Sequence, residues 1–551
     1  MDLSAANKKG LSLFALIMIG LGSIFGSGWL FGAGQAAQVA GPAALVAWVI
    51  GAIFIGMIAM TYAEAGAAYP LPGAMARFGS ISHGPVLGFV TGWAVWIATA
   101  SLIPIEAIAG TQYMSSWSFG WARDLVADGR LTGTGMATAL VLTVALWLAC
   151  YWSVELLARA NNLLTLVKFA IPVLAVAALI ASGFHTGNFT AHGGFAPNGW
   201  SAVLTAVSAS GVVFAFNGFQ AVVNLGGAAK NPGRAIPLAL VGALSLGLLI
   251  YLALQVAFLG AVPPERLAEA GGWSGVNFAS PFADLAKLLM LHWVVTMLQF
   301  GAFISPNGAN IGNVASAAYL AQNLAETGFF PKKIAEVHPR YGVARPAMWL
   351  NLGFSVLLLL TVGHSWEALA SVVSAAMVVS YLMGPIAVGV LRQTKPDLPR
   401  PFRLPAARIL CPVTFAFAAC ALYWSKWPNT GKVALLTLLS VPIAAVVLRR
   451  RGETSLRRQF APAWWMVGFL LWMALLSALG SEQFGGHGVI PGGLDIALVA
   501  LSSVGFYFWA VRAGVQAHRA GLPGPDPVLG DAASASVPEP RQAEPAGTAV
   551  S

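Results

Sequence analysis

Two ionisable side chains stand in stretches that are otherwise apolar. Glu106 lies in SLIPIEA (101–107), just past Pro104, and Lys168 lies in the apolar run that follows ARANN (158–162). A charged side chain at the centre of a membrane helix costs about 2.5–3.5 kcal/mol on insertion scales, so each needs a reason to be there. For Lys168 one reason is proton transfer, because desolvation penalises an ammonium and lets a buried lysine gain and lose a proton near neutrality. The other is that it lies only about 10 residues, or ~15 Å, into its helix and reaches the headgroups along its own methylene stem. Glu106 has three open uses: carrying a proton, accepting from a cationic substrate, or bonding a neighbouring helix as a neutral acid. Glu64, near the end of the second apolar segment, reads as structural.

The backbone supplies a second chemistry. Apolar residues run from Leu11 to about Val39, more than the roughly 20 needed to cross a bilayer. Within them Gly20, Gly22, Gly26 and Gly28 alternate with Ser23 and Ser27, residues that weaken a helix. In lipid an unwound backbone survives only where protein encloses it or where it lines a cavity. Residues 22–28 therefore read either as a break whose free N–H and C=O groups face something polar, or as a smooth face for close helix packing. A second segment, Ser201 to Leu225, is interrupted between Phe214 and Gln220. Corresponding broken helices in two halves of a chain point to a binding site between inverted repeats.

The elements that must position these groups are membrane helices. Of 551 residues, 58% are hydrophobic and 9% charged, against about 25% charged for a soluble chain. Segments of spanning length number about fourteen, the first at 12–39 and the last at 491–512. If the N-terminus is cytoplasmic, most of the 30 Lys and Arg residues fall on the inner side. The exceptions are Arg123, Arg130, Arg266, Lys287, Lys426 and Lys432 outside, and Lys168 within a span. That bias predicts both termini inside, and it accounts for the net charge of +10 with no nucleic-acid partner. The apolar run after Lys8 and Lys9 is too long for a signal peptide and reads as a retained helix. The expected organisation is an N-terminus at 1–10, a helical core at 11–391, additional membrane helices at 392–513 and a disordered cytoplasmic tail at 514–551.

Reactive chemistry is not indicated. Cys150, Cys411 and Cys420 lie in apolar segments, with no CxxC and no Cys/His cluster, so neither a disulfide framework nor a zinc site is expected. There is no GxxxxGK[ST], the histidines lack metal-ligand spacing, and no Ser/His/Asp arrangement stands out. No cofactor and no enzymatic activity are expected.

Several stretches together resemble the amino acid–polyamine–organocation (APC) permeases. IGLGSIFGSGWLF (19–31) resembles the family's opening helix, and Tyr62-Ala63-Glu64 followed by Pro70, Leu71, Pro72 and Gly73 resembles its second. FAFNGFQAVVNLGGAAKNPGRAIPLAL (214–240) resembles the second broken helix, and ASAAYLAQNLAETGFFPKKIAEVHPRYGVARPA (315–347) the end of the eighth. The likeness covers about residues 10–450. More narrowly, ISHG (81–84), SLIPIEA, ARANN, SPNGANIGN (305–313) and AWWMVGF (463–469) resemble the bacterial aspartate–proton symporters. The resemblance implies an all-α integral membrane fold in the bacterial inner membrane. It consists of two five-helix inverted repeats with helices 1 and 6 broken, plus about four peripheral C-terminal helices.

An amino acid is then the expected substrate. Its carboxylate suits the N–H groups of Gly26, Ser27 and Gly28, with Ser23 beside them, at the positive end of a half-helix. Its ammonium suits the carbonyl groups of Phe214, Ala215 and Asn217, and Phe216 and Phe219 are either aromatic lids or ordinary packing. In proton-coupled relatives a fifth-helix lysine occupies the place of sodium, and the resemblance puts Lys168 there. Ser305 and Asn307, beside Pro306, are positioned to support that ammonium or the substrate. Asn217, Asn307, Asn310 and Gln299 could serve an acidic or a neutral polar side chain. Gln220 stands where many members carry Asp or Glu, and Gly226-Gly227-Ala228 replaces an acidic stretch, which suits an anionic substrate. The expected activity is proton-coupled uptake of aspartate or glutamate. An amino acid antiporter and a non-transporting sensor on the same scaffold are the alternatives.

Overall fold

The computed structural model describes residues 11–70, 74–152, 154–338, 344–453 and 455–522. The chain opens with α1 (Leu13–Ile24), α2 (Gly28–Ala40), α3 (Ala44–Ala68), α4 (Ala74–His83), α5 (Pro85–Ala100) and α6 (Leu102–Met114). A small antiparallel hairpin, β1 (Val126–Ala127) and β2 (Arg130–Leu131), precedes α7 (Gly133–Trp152) and α8 (Val154–Ser182). The second broken segment comprises α9 (Trp200–Ala209), α10 (Val212–Ala215) and α11 (Gln220–Asn224). Next come α12 (Pro232–Ala261), α13 (Pro281–Leu288), α14 (His292–Glu326), α15 (Arg345–Val362), α16 (Trp366–Tyr381) and α17 (Met383–Thr394). The last helices are α18 (Ala407–Trp424), α19 (Asn429–Leu438), α20 (Ser440–Arg450), α21 (Trp464–Leu479) and α22 (Leu494–Arg519). This is the all-α membrane fold expected.

Among the described residues, ten helical stretches are long and apolar enough to cross a membrane, or eleven with the bent pair α9 and α10–α11 counted as one. That is fewer than the fourteen segments expected. The first expected span is cut between α1 and α2, the fifth is the 29-residue helix α8 (Val154–Ser182), and α14 carries polar residues along its middle. These are the segments that contribute to the polar interior described below. The last helix runs to Arg519, past residue 513. The expected N-terminus at 1–10 and residues 523–551 lie outside the described residues.

Both breaks are present, with altered limits. α1 stays helical through Ile24, so the first unwound stretch is Phe25–Ser27 and not 22–28. The second segment is interrupted twice: once at Ser210–Gly211, and again between Phe216 and Phe219. At the latter, Gly218 has φ +124°, and a Cβ there would lie 2.4 Å from the Ser23 carbonyl carbon. Only glycine allows that backbone shape and that approach. The two broken segments therefore touch directly. α12 packs against α1 and α3, and α14 packs against α6 and α8, which closes the core around the breaks.

Candidate functional site

Ser27, fully buried, is the junction of the first break. Its N–H donates to Glu106 Oε2 at 3.0 Å, and its hydroxyl accepts from the Trp366 indole N–H at 2.9 Å. The first N–H groups of α2 have no carbonyl one turn earlier, and they form the positive end of the helix. The Glu106 carboxylate, 3% exposed, thus sits where an anion is favoured. At Gly26 an added Cβ would stand 2.6 Å from Glu106 Oε1, so the carboxylate lies flat against bare backbone. Lys168, on α8, is 2% exposed and interacts electrostatically with Glu106, as does Tyr251 on α12. Protein encloses this lysine, so its side chain does not extend to a membrane surface.

α14 supports the same backbone from the other side. Ser305 Oγ accepts from the Trp29 indole N–H at 3.1 Å and shares its own proton between the carbonyls of Phe25 (3.1 Å) and Gly26 (3.0 Å). A single hydroxyl so meets two carbonyls that unwinding leaves without helical partners, and one indole N–H. Asn307 is not brought to the break: its Nδ2 donates to Phe303 of its own helix at 2.6 Å. Asn310 is buried and donates to the Ile103 carbonyl at 3.0 Å, one turn before Glu106. Gln299 is remote and ties α14 to Ser116 at 3.0 Å.

The second break is bridged to the first by Tyr251, whose hydroxyl lies 2.8 Å from the Ala215 carbonyl and 3.3 Å from that of Ile24. Asn217 Oδ1 accepts from Gln220 Nε2 at 2.6 Å and from the Tyr381 hydroxyl at 3.0 Å. Phe216 is wedged between Trp48 and Tyr251, with ring centroids 5.9 and 5.3 Å away, and Phe219 packs on Tyr381 at 5.2 Å. Both rings are fully buried among other aromatics. Phe214 differs, because it meets Trp366 edge-on at 5.5 Å while Trp366 stacks on Phe31 at 4.7 Å. Ser23 contributes its backbone, pressed on Gly218.

Trp366 is the residue that sequence reading missed. Its signal was faint: Ser365 caps α16, accepting from the Ala368 N–H at 3.2 Å, and a tryptophan follows in the first turn. A cavity of about 460 Å³ opens at the end of the bundle expected to face outward, lined by Gln35, Gln112, Arg130, Glu367 and Lys426 among others. Gln112 Oε1 accepts the Trp366 backbone N–H at 2.7 Å, so the tryptophan stands between this cavity and Ser27. At the opposite end, Glu64 receives Arg392 in a two-pronged pair (2.8 and 2.6 Å) and the Leu404 N–H at 2.7 Å. Cys150, Cys411 and Cys420 are free and buried, and no group of three His, Cys, Asp or Glu suited to a metal occurs among the described residues.

Comparison with known proteins agrees with this architecture. The amino acid permease family matches residues 11–447. The glutamate/serine transporter AimA of Bacillus subtilis (strain 168) is 46% identical over 92% of this chain and 94% of its own length. The aspartate-proton symporter of the same organism is 34% identical over 92% of this chain and 97% of its own. A more distant relative, the branched-chain amino acid permease BcaP, is 24% identical over 81% of the chain. With a family match over most of the chain, buried charges beside two broken helices and ten or more spanning stretches, the chain belongs to the amino acid permease family, as a multi-pass membrane transporter and not an enzyme.

Proposed function

We propose that this permease takes up an acidic amino acid, glutamate or aspartate, together with protons, by alternating access. The observation that carries the reading is the burial of Glu106 and Lys168 beside the unwound backbone of α1–α2. An α-carboxylate would bind at the N–H groups of Gly26, Ser27 and Gly28, and an α-ammonium at the carbonyls of Phe214, Ala215 and Asn217. Lys168 would supply a positive charge beside Glu106, and the protonation of this pair would respond to the open side. Two relatives, one named a glutamate/serine transporter and the other an aspartate-proton symporter, support an acidic substrate. The first of those names also favours serine as a second reading, which the amides of Asn217 and Gln220 would suit. A proton-driven cycle works only if protonation changes the relative stability of outward and inward states.

Uptake of labelled aspartate, glutamate and serine into proteoliposomes, with and without an inward proton gradient, tests the reading in wild type and Lys168→Ala. Gradient-driven accumulation of the acidic substrates, lost in a variant that still binds them, supports it. Accumulation unchanged in the variant removes Lys168 as the coupling group. Uptake that requires internal substrate and ignores the gradient indicates exchange, and saturable binding without accumulation indicates a sensor.

A further inference from the structure

We propose that Glu106 is a tethered stand-in for the substrate carboxylate: in the empty transporter it occupies the Ser27 N–H at the start of α2, and substrate takes that place only when Glu106 accepts a proton and withdraws. This rests on the uptake reading above and specifies how the same site is regulated. The Ser27 N–H is a single donor, already satisfied by Glu106 Oε2 at 3.0 Å. The other carboxylate oxygen lies so close to Gly26 that even a Cβ there would collide with it. A second anion has no room at this backbone while the first remains. Two carboxylates competing for one set of donors also repel, and such pairs resolve by sharing a proton.

The groups facing Glu106 fit an exchange of this kind. Lys168 of α8 and Tyr251 of α12 are its titratable neighbours, while Ser305, Asn310 and Trp366 flank the break from α14 and α16 without adding charge. With the site empty, the Glu106 carboxylate offsets the Lys168 ammonium. When a proton neutralises Glu106, the incoming α-carboxylate restores the same balance, so the charge beside Lys168 is conserved. The proton binds one carboxylate oxygen from the side on which the site is open. It leaves when substrate departs and Glu106 returns to Ser27. Substrate and proton then strengthen each other's binding reciprocally.

The test uses the purified full chain and labelled L-glutamate, with L-aspartate and L-serine as competitors, from mildly acidic to mildly alkaline pH. Wild type should take up about one proton per glutamate bound, and its affinity should fall up to about tenfold per pH unit on the alkaline side. Glu106→Gln, which keeps the shape without the charge, should bind at all pH values as tightly as wild type does in acid, with no proton uptake. A Glu106→Gln protein that keeps the wild-type pH slope overturns the proposal, as does one that is folded but no longer binds glutamate. Should that variant not fold, Glu106→Asp withdraws the carboxylate by one methylene and should bind more tightly than wild type at neutral pH; unchanged affinity overturns the idea. Wild-type binding that ignores pH overturns this proposal alone, whereas wild type binding none of the three amino acids overturns the uptake reading as well.

Discussion

Trp366 donates its indole N–H to the Ser27 hydroxyl across 2.9 Å. The first turn of α16 is thereby fastened to the unwound backbone of the first helix. Because the Trp366 backbone N–H rests on Gln112 from the cavity side, the indole separates the cavity from the Ser27–Glu106 pair. On the uptake reading proposed above, an amino acid arriving from that cavity would have to release this contact before reaching the N–H groups of α2.

Removing the indole should open the path. Trp366→Phe keeps the stack on Phe31 but loses a hydrogen bond with a net value of about 0.5–1.5 kcal/mol, an increase in exposure of about 2- to 13-fold. Trp366→Ala should raise it further. A cysteine at Phe214, in a background with Cys150, Cys411 and Cys420 replaced by alanine, reports this through its labelling rate with a membrane-impermeant thiol reagent. An unchanged rate would remove Trp366 as the barrier.

Ser305 and Asn307 should behave differently although both flank Pro306. Ser305→Ala strips one indole N–H and two unwound carbonyls of their partner and should destabilise by about 1–3 kcal/mol, with weaker substrate binding. Asn307→Ala loses only a bond within its own helix and should stay within about 0.5 kcal/mol of wild type. Melting temperatures of the two purified variants decide this.

Glu64 clasps the end of α3 to α17 and to the chain before α18. Its side chain is almost fully buried and faces both Arg392 and Arg400, the latter at 3.5 Å. Glu64→Ala leaves these guanidinium groups without their carboxylate, and breaking such a buried pair costs about 3–5 kcal/mol. The expected readout is a marked loss of monodisperse protein on heating. If Glu64→Ala matches wild type in that assay, the clasp is dispensable.

His83, on α4, gives stability a pH dependence. Its Nε2 faces the Ala510 carbonyl at 2.9 Å and must be the donor there, because a carbonyl only accepts. Burial, helped by nearby His518, lowers its pKa from 6.5 to about 4, against a smaller opposing effect of that hydrogen bond. The unfolded chain therefore binds a proton that the folded chain refuses, and stability is present above 6.5 and lost as pH falls toward 4. Melting temperature should drop across that window in wild type and drop less in His83→Asn. Equal slopes would show that other groups control the acid response.

Much of this was legible along the chain. The glycine and serine content of residues 19–29 located the first break to within a few residues, and Lys168 and Glu106 stood out because charge is rare in apolar segments. The limits moved because helix ends depend on partners: Ser23 remains helical with its carbonyl against Gly218, which no local propensity encodes. The sequence offers Phe214 for its carbonyl and Phe216 and Phe219 for their rings, yet the Phe214 ring meets Trp366 while the other two face Trp48, Tyr251 and Tyr381.

What the sequence determined by itself is the class of molecule and its chemical stock: apolar helices, two weak points and two buried charges. Composition and local backbone preference are properties of neighbouring residues, and they need no knowledge of the fold. Which charge meets which break was decided by tertiary structure. Glu106 reaches Ser27 across 79 positions of chain, and Trp366 reaches the same serine across 339. Such contacts depend on how helices rotate and pack against one another, and in a chain this uniformly apolar almost any face can be buried, so periodicity does not choose the partner.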